Sequence, residues 1–363
     1  MSSDPLLITG FPDRAREQFG TREIVDYRDG VEVHRGSYVD YDVRVRRLAG
    51  ALAGLGVRPG DRVATLAWNH HRHLELYMAV PLAGAVLHTV NLRLEPEEIA
   101  YVIGHADDAL RGRRRAAPAV RCGSRCPAAH DRGDHRRRPG ARGARLRGPR
   151  GGRSAAGRSA TGREDDLAAL CCTSGTTGAP QGVGYSHRAL FLHTLAAGLA
   201  DGRAISERDR VLHVVPMFHA NAWGIPLAAL MTGADQVLPG PHPSVADIAS
   251  IIERERATYV GMVPTIAVDL VEHARDSGAD LRSLRALVLG GSTPGVELIR
   301  AIEEDLGVPT FQGWGMTEIS PMGTFSGPPP ASITGTRTTR PSARRATRRS
   351  GPRAGSCPVS AGV

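Results

Sequence analysis

Three short stretches of this sequence hold residues whose types and spacing could do chemistry. Residues 173–183 read TSGTTGAPQGV, with the hydroxyls of Ser174, Thr176 and Thr177 interleaved with Gly175, Gly178 and Gly182. Glycines let backbone N–H groups approach a polyphosphate, and hydroxyls add short neutral donors, so this composition is a phosphate cradle. It contains neither the GK[ST] of a Walker loop nor the GxGxxG of a dinucleotide fingerprint. A flexible Ser/Thr/Gly turn is the plain alternative, which the length of the stretch disfavours. Residues 216–224, PMFHANAWG, set His219 and Trp223 four apart at a strand-to-helix connection, where one helical turn would give them a common face. A histidine satisfied inside the core is the alternative there. Residues 312–321, QGWGMTEISP, carry Glu318, which could hold a hard cation through oxygen or be an ordinary surface carboxylate on a Gly-rich turn.

The surrounding pattern supplies elements to position these groups. Val45, Leu48, Leu52 and Leu55 recur at helical spacing before Gly56, predicting a helix over 38–55. Strands are expected at 62–68, 85–88, 167–173, 211–215, 259–263, 284–289 and 310–312. Helices are expected at 73–82, 96–103, 188–199, 225–231, 244–255, 265–273 and 296–306. Such alternation predicts a layered α/β fold.

The chain has 363 residues and a net charge of +9, and all 46 of its Lys+Arg residues are Arg. A Schiff base, a pyridoxal-phosphate anchor or a Walker lysine is therefore excluded in this sequence. The charge is unevenly spread. Residues 109–163 hold 17 Arg against two acids and residues 333–363 hold seven Arg and no acid, so the other 277 residues carry a net −13. Neither segment has an aromatic residue, and 109–163 has one Val and two Leu, so disorder is expected in both. Both begin abruptly within patterned sequence and have the Arg/Pro/Ala/Gly bias of GC-rich codons read out of frame. We read them as frame-shifted, with a genuine solvated loop and tail as the alternative. The division expected is thus 1–108, 109–163, 164–332 and 333–363. The five cysteines form no secreted disulfide framework, and Cys122, Cys126, His130 and His135 are too closely spaced for a zinc finger. No apolar run approaches a membrane span, so a cytoplasmic protein is expected.

In this order, and with GGSTPG at 290–295 between the second and third, the three clusters resemble the adenylate-forming acyl-CoA synthetases, or AMP-binding ligases. Residues 1–108 and 164–327 carry the resemblance. The stretches GDRVATLAWNHHRHLELYMAVPLAGAVLHTVNLRLEPEEIAYVIGHAD and VPMFHANAWGIPLAALMTGADQVLPGP look most like bacterial long-chain fatty-acid CoA ligases. The resemblance implies the layered N-terminal domain of that fold and a two-step reaction. A carboxylate attacks the α-phosphate of Mg-ATP, and coenzyme A then displaces AMP from the acyl-adenylate. It further implies that Thr173, Ser174, Gly175, Thr176, Thr177 and Gly178 cradle the polyphosphate, with Thr317 on the α-phosphate and Glu318, helped by Thr176, on Mg²⁺. Trp314, where the family has Tyr, would stack on adenine beside Gln312, Gly313 and Gly315. Gly291 and Ser292 would line the adenine and acyl pocket. His219 would lie near the reacting carboxylate, and Trp223 would gate a fatty-acyl tunnel. A homodimer follows only by family analogy.

Two departures stand out. Gln181 occupies the family's phosphate-loop lysine position, exchanging a charge-assisted bond for a neutral one at a cost of roughly 1–2 kcal/mol, or about 5- to 30-fold in ATP affinity. Beyond Ser332 the family pattern stops, before its ribose-binding aspartate, hinge and small C-terminal domain with the catalytic lysine, so that domain is expected to be absent. Two further readings compete with the ligase. A nucleotide- or acyl-binding remnant without turnover would need only 174–178 and the Trp314 pocket. A nucleic-acid binder is disfavoured by the acidic body and the lack of aromatics in the Arg-rich segments.

Overall fold

The computed structural model describes residues 4–109, 120–121, 162–173 and 180–326. In chain order the elements begin with α1 (Phe11–Phe19), β1 (Glu23–Arg28), β2 (Val31–Ser37), α2 (Tyr38–Gly54), β3 (Arg62–Leu66), α3 (His71–Leu82), β4 (Val86–Thr89) and α4 (Pro96–Ala109). There follow β5 (Val120–Arg121), β6 (Leu167–Cys172), β7 (Gly182–Ser186), α5 (His187–Gly198), β8 (Arg210–Leu212), α6 (Ile225–Thr232), β9 (Asp235–Leu238) and α7 (Val245–Glu255). The series ends with β10 (Tyr259–Met262), α8 (Pro264–Ser277), β11 (Ala286–Leu289), α9 (Val296–Arg300), β12 (Thr310–Gly315) and β13 (Met322–Ser326).

The strands form two sheets. One runs β13-β12-β11-β10-β8-β9-β1-β2, parallel from β12 to β1 with an antiparallel strand at each edge. The other runs β5-β3-β4-β6-β7 and ends in the antiparallel β6–β7 hairpin. Central strands such as β10 and β11 are buried throughout, as their continuous apolar runs require when helices cover both faces. Helix starts follow from local chemistry: Ser37 and Ser244 each close a capping box with an Asp three residues on, satisfying first-turn N–H groups at α2 and α7.

The layered α/β expectation is met, with informative differences. The hairpin β1–β2 has no period-2 signal on its exposed strand, whose residues are largely solvated, so the pattern did not mark it. The strand expected over 211–215 stops at Leu212, because buried Asn69 takes over the next backbone groups. Its side-chain amide donates to the carbonyls of His213 (2.6 Å) and Val215 (2.8 Å), and its Oδ1 accepts from the Met217 amide (2.8 Å). The helix expected over 296–306 is α9 followed by a wider π turn at Ala301–Asp305. The stretch 312–321 is not an ordinary Gly-rich turn but the end of β12, a short 3₁₀ turn (Thr317–Ile319) and a return into β13. Val120 and Arg121, inside the segment expected to be disordered, pair in parallel with β3. The remainder of that segment from 110 to 161, and all of 333–363, lie outside the described residues. Among the described residues no helix is long and apolar enough to cross a membrane.

Candidate active site

The ends of both sheets open onto one cavity of about 570 Å³. Of the residues singled out from sequence, Thr173, Gln181, His219, Trp223, Gly291, Gly313, Trp314, Gly315, Thr317 and Glu318 line it. Ser292 and Gln312 do not: Ser292 is exposed beside Gly291, and Gln312 sits one step back along β12, between Leu289 of β11 and Ser326 of β13. Ser174, Gly175, Thr176, Thr177 and Gly178 lie outside the described residues. Their flanks are fixed, because the Thr173 amide donates to the Gln181 carbonyl (2.9 Å) and the Gln181 amide donates to Thr173 Oγ1 (3.2 Å). These two bonds close the β6–β7 hairpin below residues 174–179, at the edge of the cavity.

The segment from His219 to Gly224 is the most unusual backbone in the structure. The spacing predicted a common helical face for His219 and Trp223, but Ala220, Asn221, Ala222 and Trp223 have φ of 42°, 50°, 50° and 57°, a left-handed turn. Left-handed backbone costs a non-glycine residue roughly 1–2 kcal/mol, so the surroundings must hold it. Asn221 Oδ1 accepts from Cys171 Sγ (3.2 Å) and Thr89 Oγ1 (3.4 Å), and the Trp223 carbonyl accepts from Arg203 Nη1 (2.5 Å). Gly290, at the end of β11, is required by the same turn: a Cβ there would meet the Trp223 indole at 2.9 Å. The indole therefore packs against the strand end and walls one side of the cavity. His219 is open to the cavity but ringed by protein. Desolvation, with the Arg93 charge, pushes its imidazole below the usual histidine value, which keeps it neutral at pH 7.

The facing wall is the β12–β13 hairpin, on which Trp314 is 56% exposed and Glu318 is exposed at the tip. Tyr185 on β7, which the sequence reading missed, donates its hydroxyl to the Thr317 carbonyl (2.6 Å) and so ties this tip to the hairpin below 174–179. Burial pushes the Tyr185 phenol above its ordinary value, so it remains a donor. Tyr101 and His105 of α4 also line the cavity, stacked with ring centroids 5.5 Å apart. Their i, i+4 spacing was the available signal, but it reads equally as an amphipathic helix face. Among the described residues no cluster of three or more His, Cys, Asp or Glu converges to hold a metal ion, and Glu318 is the one acid lining the cavity. One carboxylate suits Mg²⁺, which takes one or two protein carboxylates and completes its shell with water and substrate phosphates.

This fold, with its strand ends opening onto one cavity, defines a layered α/β protein, and comparison with known proteins gives its family. The model of the AMP-binding enzymes matches residues 11–346, and the chain belongs to that family. It is 44% identical over 337 residues to a long-chain-fatty-acid–CoA ligase of Thermus thermophilus, covering 89% of this chain and 59% of that protein. It is 37% identical over 340 residues to a medium-chain-fatty-acid–CoA ligase of Ectopseudomonas oleovorans, covering 90% and 62%. The chain thus spans about six tenths of the length of these curated relatives. Among solved structures, a long-chain-fatty-acid-CoA ligase from Archaeoglobus fulgidus superposes with a TM-score of 0.70 at 19% identity, covering 90% of this chain and 67% of that one. An anthranilate CoA ligase in complex with anthranoyl-AMP gives 0.71 at 20%, covering 91% and 64%. At such identities these two likenesses speak for the fold alone.

Proposed function

We propose that the protein activates a fatty acid with ATP, forming an acyl-adenylate and pyrophosphate and then acyl-CoA and AMP. The observation that carries this reading is the single cavity onto which the phosphate-loop flanks, the exposed Trp314, the Thr317–Glu318 tip and the Trp223 wall all open. In the first step a carboxylate oxygen bonds to the α-phosphorus while the bond from that phosphorus to the β-phosphate bridging oxygen breaks. Trp314 offers an aromatic face for adenine, and Thr317 offers a hydroxyl to the α-phosphate. Glu318 would hold Mg²⁺, which when bound neutralises charge on the phosphates. Neutral His219 can donate one hydrogen bond to the carboxylate without locking it into an ion pair.

In the second step the sulfur of coenzyme A bonds to the acyl carbonyl carbon, the bond to the AMP oxygen breaks, and the thiol proton leaves to solvent. Within this chain, what the cavity residues Thr173, Gln181, Thr317 and His219 offer to these steps is positioning and neutral hydrogen-bond donors. The test is fatty-acid-dependent exchange of labelled pyrophosphate into ATP, run with the Thr317→Ala variant beside it. Exchange that requires the acid and falls at least tenfold in the variant supports the reading. Binding of AMP with no exchange from any C8–C18 acid would make the chain a binding module instead.

A further inference from the structure

Arg203 lies in the segment after α5, is 3% exposed and lines the cavity beside Trp223. Its Nη1 donates to the Trp223 carbonyl and its Nε to the weak acceptor Met322 Sδ (3.3 Å). Among the described residues it forms no ion pair. The other polar groups within its electrostatic reach are the Tyr259 hydroxyl and the His193 ring, neither of them acidic and both without hydrogen-bond partners among the described residues. Burial lowers the Arg203 pKa, as expected of a cation without a counter-ion. A guanidinium stays charged, so an unpaired one that lines a cavity and is nearly cut off from water is a recurring cost unless an anion meets it.

Resting on the acyl-activating reading above, we propose that Arg203 is a binding group for a second carboxylate, remote from the one activated, so that the preferred acid is a dicarboxylate. Arg203 bridges the Trp223 carbonyl and Met322 at the start of β13, whereas the phosphate-loop flanks belong to the five-stranded sheet; Trp314, Thr317 and Glu318 share the β12–β13 hairpin with Met322, so nucleotide is the competing ligand for Arg203. Of the cavity residues, Trp223 and Met322, which Arg203 touches, and Val288 and Ala220, which line the same cavity, have apolar side chains, which suits a methylene chain ending in a carboxylate. A carboxylate accepts two parallel bonds from the guanidinium fork, and its charge offsets that of Arg203 where water does not.

The test is equilibrium binding of octanoate, octanedioate and monomethyl octanedioate, together with AMP and inorganic phosphate, to the full chain and to Arg203→Met. Octanedioate is expected to bind the parent at least about tenfold more tightly than octanoate or the half-ester, a margin in line with a charge-assisted pair. In Arg203→Met that preference is expected to vanish while AMP binding stays within twofold. The half-ester comparison removes the remote charge from the ligand, so it decides the matter on the parent protein even if the variant does not fold. Equal binding of the three acids to the parent would overturn the proposal and leave fatty-acid activation standing. A loss of AMP or phosphate affinity in Arg203→Met, with the acid preference unchanged, would assign Arg203 to the nucleotide instead. Absence of binding by any acid or by AMP would overturn the functional reading and this one with it.

Discussion

The two walls of the cavity are built in opposite ways. The wall that follows His219 is left-handed, has Ala220, Asn221, Ala222 and Gly224 buried, and is held by side chains from β4, β6 and the segment after α5, with the Trp223 indole pressed on Gly290. The wall formed by the β12–β13 hairpin presents Trp314 and Glu318 to solvent and is tied down at its tip by the Tyr185 hydroxyl. A buried wall with stored strain holds one shape. An exposed wall offers a stacking face and a carboxylate at little cost to folding. Under the proposed function, the first would select the acyl group and the second would exchange nucleotides.

The largest effect that separates them is one of pH. Desolvation pushes His193, beside the buried wall, and His213 down to about 4, and His73 to about 3. A buried base with a depressed value binds its proton less tightly folded than unfolded. Its contribution to stability is therefore complete above about pH 6.5 and is lost as pH falls from there toward 4. Thermal melts should shift steeply downward between pH 6.5 and 4.5, and less steeply in His193→Leu; a flat profile would contradict the buried wall. Next in size is Gly224→Ala. Gly224 has φ +71°, and a Cβ there would meet His193 Cε1 at 2.2 Å, so the substitution should cost roughly 2–4 kcal/mol, read as a lower denaturation midpoint.

On the exposed wall, Trp314→Ala should leave the midpoint nearly unchanged and weaken AMP by about 5- to 150-fold, the range for loss of an aromatic–base stack. A large fall in stability would mean that the indole is part of the core. The smallest effect is a gain: Ala222→Gly, at φ 50°, should raise stability by about 0.5–1 kcal/mol by relieving strain.

Much of this was legible in the sequence because the signals were local. The periodicity of 38–55, the capping Ser244 and the apolar runs of β10 and β11 each specify an element without help from distant residues. Nine of the residues chosen from the three motifs, and Gly291 from the stretch between the second and third, line one cavity, since motif residues cluster at strand ends where loops meet. What could not be read depends on long-range partners. The early end of β8 comes from Asn69, more than 140 residues away, and the left-handed turn from Cys171, Thr89 and Arg203. Tyr185 and Arg203 stand outside every motif, and only the fold brings them to the cavity.

The central claim is that one cavity takes nucleotide and acyl group together, against the exposed and the buried wall respectively. Titration of a non-hydrolysable octanoyl sulfamoyl-adenylate against the parent, Trp314→Ala and Gly290→Val tests it most directly. The account predicts at least about 100-fold tighter binding than AMP in the parent. It also predicts that Trp314→Ala weakens both ligands equally and that Gly290→Val, which displaces the Trp223 indole, weakens the acyl-bearing ligand more than AMP. Binding of the acyl-adenylate mimic no tighter than AMP would contradict the claim.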